Sequence, residues 1–134
     1  MCGMTRALIC DPRMPEKAAQ GRTDDIRACI GCNQACIGRF HKGYPISCIQ
    51  YPESGRELRF GFGDIPRCAN PKSITVIGGG PAGMKAASTM ALAGHHVSLY
   101  EAEGHLGGQV RLAQLIPGRS EFGGLITNLS RELE

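Results

Sequence analysis

An α/β fold preceded by a cysteine-rich loop is predicted for this chain of 134 residues, and two stretches carry the prediction. The first is Cys29-Ile30-Gly31-Cys32-Asn33-Gln34-Ala35-Cys36, followed at a distance by Cys48, which sets four of the seven cysteines in the order C-x2-C-x3-C-x11-C. The second is the β-branched run Ile74-Thr75-Val76-Ile77, which leads directly into Gly78-Gly79-Gly80-Pro81-Ala82-Gly83. A helix-length segment and a second short run, Val97-Ser98-Leu99-Tyr100, complete it. A strand–turn–helix–strand unit with G-x-G-x-x-G at its turn opens a nucleotide-binding α/β domain.

The cysteine spacing has a chemical reading. Thiolates that hold one inorganic core must converge from several directions, and a close-set trio on a tight loop takes three corners while a fourth sulfur returns from farther along. Cys48 is that return. Gly31, Gly38 and Gly43 let the backbone turn, and N–H groups freed by such turns can point at sulfur. An iron–sulfur cluster fits this spacing best. Zinc remains the alternative, although it usually draws its cysteines as two short pairs, and a disulfide framework fits poorly because an odd total leaves one thiol over. Cys2, Cys10 and Cys68, with no close-set partner, read as buried or incidental thiols. His41, between two of the four cysteines, reads as a turn histidine that could touch the bound group.

Composition narrows the function classes. Nineteen glycines against three Tyr, four Phe and no Trp leave little bulk for a self-sufficient core. A net charge of +3 from scattered Lys and Arg gives no nucleic-acid footprint. No apolar run approaches the roughly 20 residues that span a bilayer. The expectation is a cytoplasmic chain in a compartment that keeps thiols reduced.

In chain order, Met1-Cys2-Gly3-Met4 reads as the end of a strand entering a turn. A short helix is expected from Thr5 to Cys10, stopped by Asp11-Pro12, and a second from Met14 to Ala19. Irregular structure is expected through the cysteine segment, with turns at Pro45 and at Pro52 to Gly55. Arg56 to Lys72, which contains Phe60-Gly61-Phe62-Gly63-Asp64, reads as a connection. The strand Ile74 to Ile77 reads as a buried parallel strand. The helix after it should reach about Ala93, with Pro81 in its first turn and Gly94 closing it. Met84, Met90 and Leu92 are expected to pack that helix on the sheet, and His95-His96 to lie in the turn before the second strand. Gly78 suits the tight turn, Gly80 the approach of a pyrophosphate and Gly83 close packing of helix on strand, with Pro81 and Ala82 completing the turn. Glu101, at the end of the second strand, is placed to accept hydrogen bonds from a ribose. Leu106-Gly107-Gly108-Gln109 reads either as a second phosphate-facing loop or as a plain turn opening the amphipathic stretch Val110 to Ile116. A last helix is expected from Ser120 to Leu133, with Ser120 as its N-cap. No third strand follows, so the unit is the first half of a β-α-β-α-β domain.

The combination of Gly3-Met4-Thr5-Arg6, Asp24-Asp25-Ile26-Arg27, the four cysteines, Gly55-Arg56-Glu57 and the glycine fingerprint resembles the iron–sulfur flavoproteins of the old yellow enzyme family. That group includes 2,4-dienoyl-CoA reductase, trimethylamine and histamine dehydrogenases and dimethylglycine-type demethylases. The resemblance implies residues 1–27 at the end of an FMN-bearing (β/α)8 barrel, 28–57 as a [4Fe-4S] segment, 58–72 as a linker and 73–134 as the first part of a Rossmann-like FAD- or ADP-binding domain. It makes Cys29, Cys32, Cys36 and Cys48 cluster ligands, and Arg6 the partner of the FMN phosphate rather than a surface arginine. Gly78, Gly80, Pro81, Ala82, Gly83, Glu101, Gly107, Gly108 and Gln109 become dinucleotide contacts. It further implies an oxidoreductase acting on a small molecule. The reaction is either demethylation of an N-methylated amine, with electrons sent to an electron-transfer protein, or NAD(P)H-dependent reduction of an activated alkene. Residues 46–50 and Asn33-Gln34 are similar to the demethylase members. Most of the barrel lies outside this stretch, so an internal fragment without activity of its own is expected. A zinc-stabilised, non-catalytic nucleotide-binding module is the competing expectation.

Overall fold

Pro12 dictates how the first helix ends. In the computed structural model, which describes residues 2–61 and 64–134, α1 (Arg6–Cys10) stops at Asp11, whose backbone is extended as the residue before a proline must be. Pro15 sits in the first turn of α2 (Met14–Ala19), where its missing N–H costs nothing. A 3-10 turn, Thr23–Asp25, then leads into the cysteine segment. Residues 2–4 form no strand, contrary to expectation, and Met1 lies outside the described residues. No neighbouring strand is present among the described residues of this part to supply ladder hydrogen bonds.

The chain divides into two units, Met1–Asp64 and Ile65–Glu134. In the first, Asp11 is buried and gathers three segments. Its Oδ2 accepts from Lys17 Nζ at 2.6 Å and from the backbone N–H of Arg27 at 2.9 Å, while Oδ1 accepts from the backbone N–H of Arg13 at 3.2 Å. Burial opposes ionisation of this carboxyl, but the Lys17 and Arg27 donors outweigh it and hold the group below the ordinary carboxylate value. Cys10, Ile30, Ser47, Gln50 and Tyr51 are buried in the same unit. Two helical turns complete it, α3 (Ile37–Phe40) and α4 (Glu57–Phe60). Phe62 and Gly63 of the expected connection lie outside the described residues.

The second unit is built on two parallel strands, β1 (Ser73–Ile77) and β2 (His96–Tyr100), in register from Ser73 opposite His96 to Ile77 opposite Tyr100. The helix α5 (Pro81–Leu92) connects them, and Gly94 takes the left-handed conformation just after it. Beyond β2 come α6 (Val110–Ala113), a 3-10 turn (Ser120–Phe122) and α7 (Gly123–Leu133). The core lies between α5 and α7, with Met84, Ala87 and Ser88 of one helix and Leu125 and Leu129 of the other buried. Met84 is fully buried, a burial that contributes roughly 1.5–3 kcal/mol. At one end of this contact Glu132 Oε2 accepts from Lys85 Nζ at 2.7 Å and from Ser88 Oγ at 3.3 Å.

Several expectations are corrected here. β1 is not buried, since its residues alternate between exposed and half-buried and Ile77 is exposed. With β2 as the one strand beside it among the described residues, β1 has too little structure around it to cover both faces. Leu92, in the last turn of α5, is exposed instead of packed on the sheet. His96 opens β2 instead of lying in a turn, because its N–H donates to Lys72 O at 2.9 Å and extends the pairing by one residue. The helical part of 110–116 ends at Ala113. Ser120 caps nothing through its side chain. It begins the 3-10 turn, and α7 starts three residues later at Gly123. No helix among the described residues is long and apolar enough to cross a membrane.

Candidate functional site

In the first unit the cysteine loop turns through two left-handed positions, Gly31 (φ 63°) and Asn33 (φ 57°), on either side of Cys32. Asparagine tolerates that conformation better than other non-glycine residues. The N–H of Ser47 donates to Ala35 O at 2.8 Å, and this bond holds the returning segment against the trio. Cys29, Cys32, Cys36 and Cys48 consequently line one cavity, part of it open to solvent. Cys29 is exposed and the other three are half-buried. The thiols are not drawn together around a point, and among the described residues no group of three or more His, Cys, Asp or Glu side chains closes on a single-ion site.

The sulfurs are supplied with donors. Cys48 is held below the usual thiol range, to about 6, first by the hydrogen bond it receives from the Cys10 thiol, against the opposing effect of burial. The N–H groups of Gln50 and Tyr51 and the Arg27 charge act in the same direction as Cys10. Cys10, buried in turn, stays protonated because of that bond and its burial. Burial raises Cys32, while the Gln34 N–H works against the rise. Four thiols, two of them with backbone N–H groups aimed at their sulfurs, form a donor set suited to a soft metal centre.

Arg6 also lines this cavity, and its Nη1 donates to Asn33 Oδ1 at 3.0 Å. His41 is exposed and outside the lining. The roles of two contributors are not legible in the sequence. Cys10 comes from α1, and Gln50 donates to both Cys10 Sγ (3.3 Å) and Ala28 O (2.9 Å). Neither has a spacing signal, because each acts across 22 residues or more.

In the second unit the fingerprint glycines do separate things. Gly78 (φ 102°) makes a turn that an L side chain rarely adopts, and its N–H still reaches Tyr100 O at 2.8 Å. A Cβ on Gly83 would run into the carbonyl oxygen of Gly78. A Cβ on Gly80 would meet no protein atom within 4 Å, so the space beside it is open. Gly80 precedes Pro81 at the start of α5, and no side chain caps this end, which leaves the N–H groups of Ala82 and Gly83 facing outward. Glu101 follows β2. Its Oε1 accepts from the Glu103 N–H at 3.0 Å and its Oε2 from the Gly79 N–H at 2.5 Å, and these bonds hold the carboxyl below its usual range. The Gly107 N–H donates to Gly79 O at 2.8 Å, which brings Gly107 and Gly108 beside Gly80. Gln109 is exposed next to them. The arrangement is an anion-accepting helix N-terminus flanked by a carboxylate.

Residues 76–129 match the family model described as an NAD(P)-binding Rossmann-like domain. The NADH oxidase of Thermoanaerobacter brockii is 45% identical over 118 residues, which are 87% of this chain and 18% of that protein. The N,N-dimethylglycine/sarcosine dehydrogenase of Chromohalobacter salexigens is 41% identical over 126 residues, 93% of this chain and 18% of that one. The solved structure of histamine dehydrogenase from Rhizobium sp. 4-9 superposes with a TM-score of 0.93 at 34% identity, covering 99% of this chain and 19% of that one. The chain matches the old yellow enzyme/trimethylamine dehydrogenase family. It spans about a fifth of the length of these family members.

Proposed function

We propose that this chain is the cluster-bearing and dinucleotide-opening part of a flavin- and [4Fe-4S]-dependent oxidoreductase. In this reading residues 1–27 end an FMN-bearing (β/α)8 barrel, 28–57 hold the cluster, 58–72 link, and 73–134 begin an FAD- or ADP-binding module. The observation that carries it is the lining of one cavity by Cys29, Cys32, Cys36 and Cys48. When bound, the cluster would supply one-electron transfer between FMN and a second dinucleotide module or an external carrier.

The chain's own residues would do the following. The four thiolates would ligate, and the N–H groups of Gln34, Gln50 and Tyr51 would support the sulfurs of Cys32 and Cys48. Arg6 would take the FMN phosphate while its link to Asn33 steadies the loop. The N-terminus of α5 would take a pyrophosphate, and Glu101 would use its remaining lone pairs on a ribose. The substrate would be a small N-methylated amine or activated alkene, with NAD(P)H as the electron source in the second case and an electron-transfer protein as acceptor in the first. The cytoplasm, where thiols stay reduced, is the proposed compartment.

The test is metal analysis of the chain reconstituted anaerobically with iron and sulfide. Near-equal iron and acid-labile sulfide, about four of each per chain, with a visible absorbance that bleaches on reduction, is expected. Stoichiometric zinc without sulfide would overturn the electron-transfer role and favour a zinc-stabilised binding module. For the second site, Glu101→Ala is expected to weaken FAD or ADP binding on the order of tenfold in calorimetric titration. Unchanged affinity would remove Glu101 from the ribose.

A further inference from the structure

Ser47 presents an unresolved polar account. It is 2% exposed, it lines the cavity shared by the four cysteines, and its Oγ is buried without a hydrogen-bond partner. A buried hydroxyl left unpaired costs free energy, and native structures nearly always give it an acceptor. Two neighbouring polar side chains already have partners. Gln50 Nε2 donates to Cys10 Sγ and Ala28 O, and Asn33 Oδ1 accepts from Arg6. Ile9, Ile30, Ala35 and Ile49 offer no side-chain acceptor. The other side chains that line the cavity include the four thiols, whose sulfur can accept. The backbone of Ser47 is meanwhile fixed, because its N–H bonds Ala35 O at 2.8 Å, so the residue stays at the cavity wall independently of whatever its hydroxyl donates to.

We infer that the Ser47 hydroxyl donates a hydrogen bond to a sulfur of the iron–sulfur centre and raises its reduction potential. This rests on the cluster reading above and adds a residue to it. Reduction adds one electron and no atom, and the hydroxyl keeps its proton. A donor aimed at sulfur stabilises the more negative, reduced state more than the oxidised one, so removing the donor makes reduction harder. Ser47 is thus a positioning and tuning residue, not a ligand.

The experiment compares the reconstituted chain with its Ser47→Ala, Ser47→Gly and Ser47→Thr variants. Iron and sulfide content comes first, because failure of the unaltered chain to load would overturn the cluster reading itself. Redox titration follows. The expected result is a reduced-to-oxidised ratio about tenfold lower in Ser47→Ala and Ser47→Gly at a fixed ambient potential, a fall of ~59 mV for one electron, with Ser47→Thr near the unaltered value. Pulsed electron–nuclear spectroscopy of the reduced centre after exchange into D2O should also show one strongly coupled exchangeable proton absent from the Ala and Gly variants. If these two load iron and sulfide with unchanged potential and an unchanged set of exchangeable protons, the inference is overturned. If neither loads, an unaltered chain whose reduced centre couples only to amide protons overturns it equally, and an additional hydroxyl proton supports it.

Discussion

Gly83→Ala is expected to lose dinucleotide binding together with the packing of the second unit. The added methyl would run into the carbonyl oxygen of Gly78, with Val76 Cγ1 3.5 Å away, so it meets backbone that has no rotamer to escape into. Either α5 lifts from β1 or the turn between them opens. Both displace the outward-facing N–H groups of Ala82 and Gly83, and overpacking of this kind costs about 1–3 kcal/mol. We expect ADP affinity to fall on the order of 100-fold and amide exchange to accelerate across α5, including the Met84 N–H that bonds Gly80 O at 2.9 Å. Gly80→Ala makes the informative contrast. Gly80 has φ −71°, which any residue adopts, and its added Cβ would meet no protein atom. That variant should keep its amide protection and lose binding alone, because the methyl occupies the space a pyrophosphate needs. Wild-type ADP affinity in Gly80→Ala would mean that the phosphates do not approach this turn.

That contrast also indicates what was legible in the sequence. The fingerprint of Gly78, Gly80 and Gly83 was readable because each glycine answers to backbone geometry within six residues, and the helices α2 and α5 likewise follow local proline, glycine and apolar signals. The grouping of the four cysteines was readable from spacing, since loop length alone limits where the sulfurs go. Side-chain accounts that close over long separations were not readable. Asp11 looked like a residue that merely ends a helix before Pro12, and nothing local announces that Arg27, sixteen residues on, returns to it. Ser47 gave no signal for the same reason, and Cys10 was legible as a buried thiol but not as the acceptor of Gln50. The start of α7 was misplaced because Ser120 offers a capping hydroxyl, while the chain through Phe122 winds as a tighter 3-10 turn and continues into the helix without using it. Burial of β1 was overstated because a β-branched run signals a strand, whereas its burial depends on neighbouring strands and helices that the run itself does not encode.

Asp11→Ala is expected to destabilise the first unit by about 3 kcal/mol, among the largest single-residue effects in that unit. The substitution strands Lys17, whose side chain is largely buried, and leaves the Arg27 N–H without its carboxylate. Lys17 keeps one acceptor, Asp25 O at 2.8 Å, which holds the loss near the lower end for a broken buried pair. Amide exchange at Arg27 is the direct readout and should accelerate by two orders of magnitude or more. The pH dependence follows from the depressed carboxyl. Its folded-state value lies below the ordinary 3.8, so its stabilisation is fully present above the unfolded value and is lost as pH falls through the folded one. Asp11→Asn, which cannot ionise, should therefore be less stable at neutral pH and converge on the unaltered chain in strong acid. The outcome opposed to this is a pair of acid-unfolding curves separated by a constant amount at every pH. That result would mean that Asp11 contributes shape and hydrogen bonding but no charge to the junction of α1, α2 and the cysteine segment.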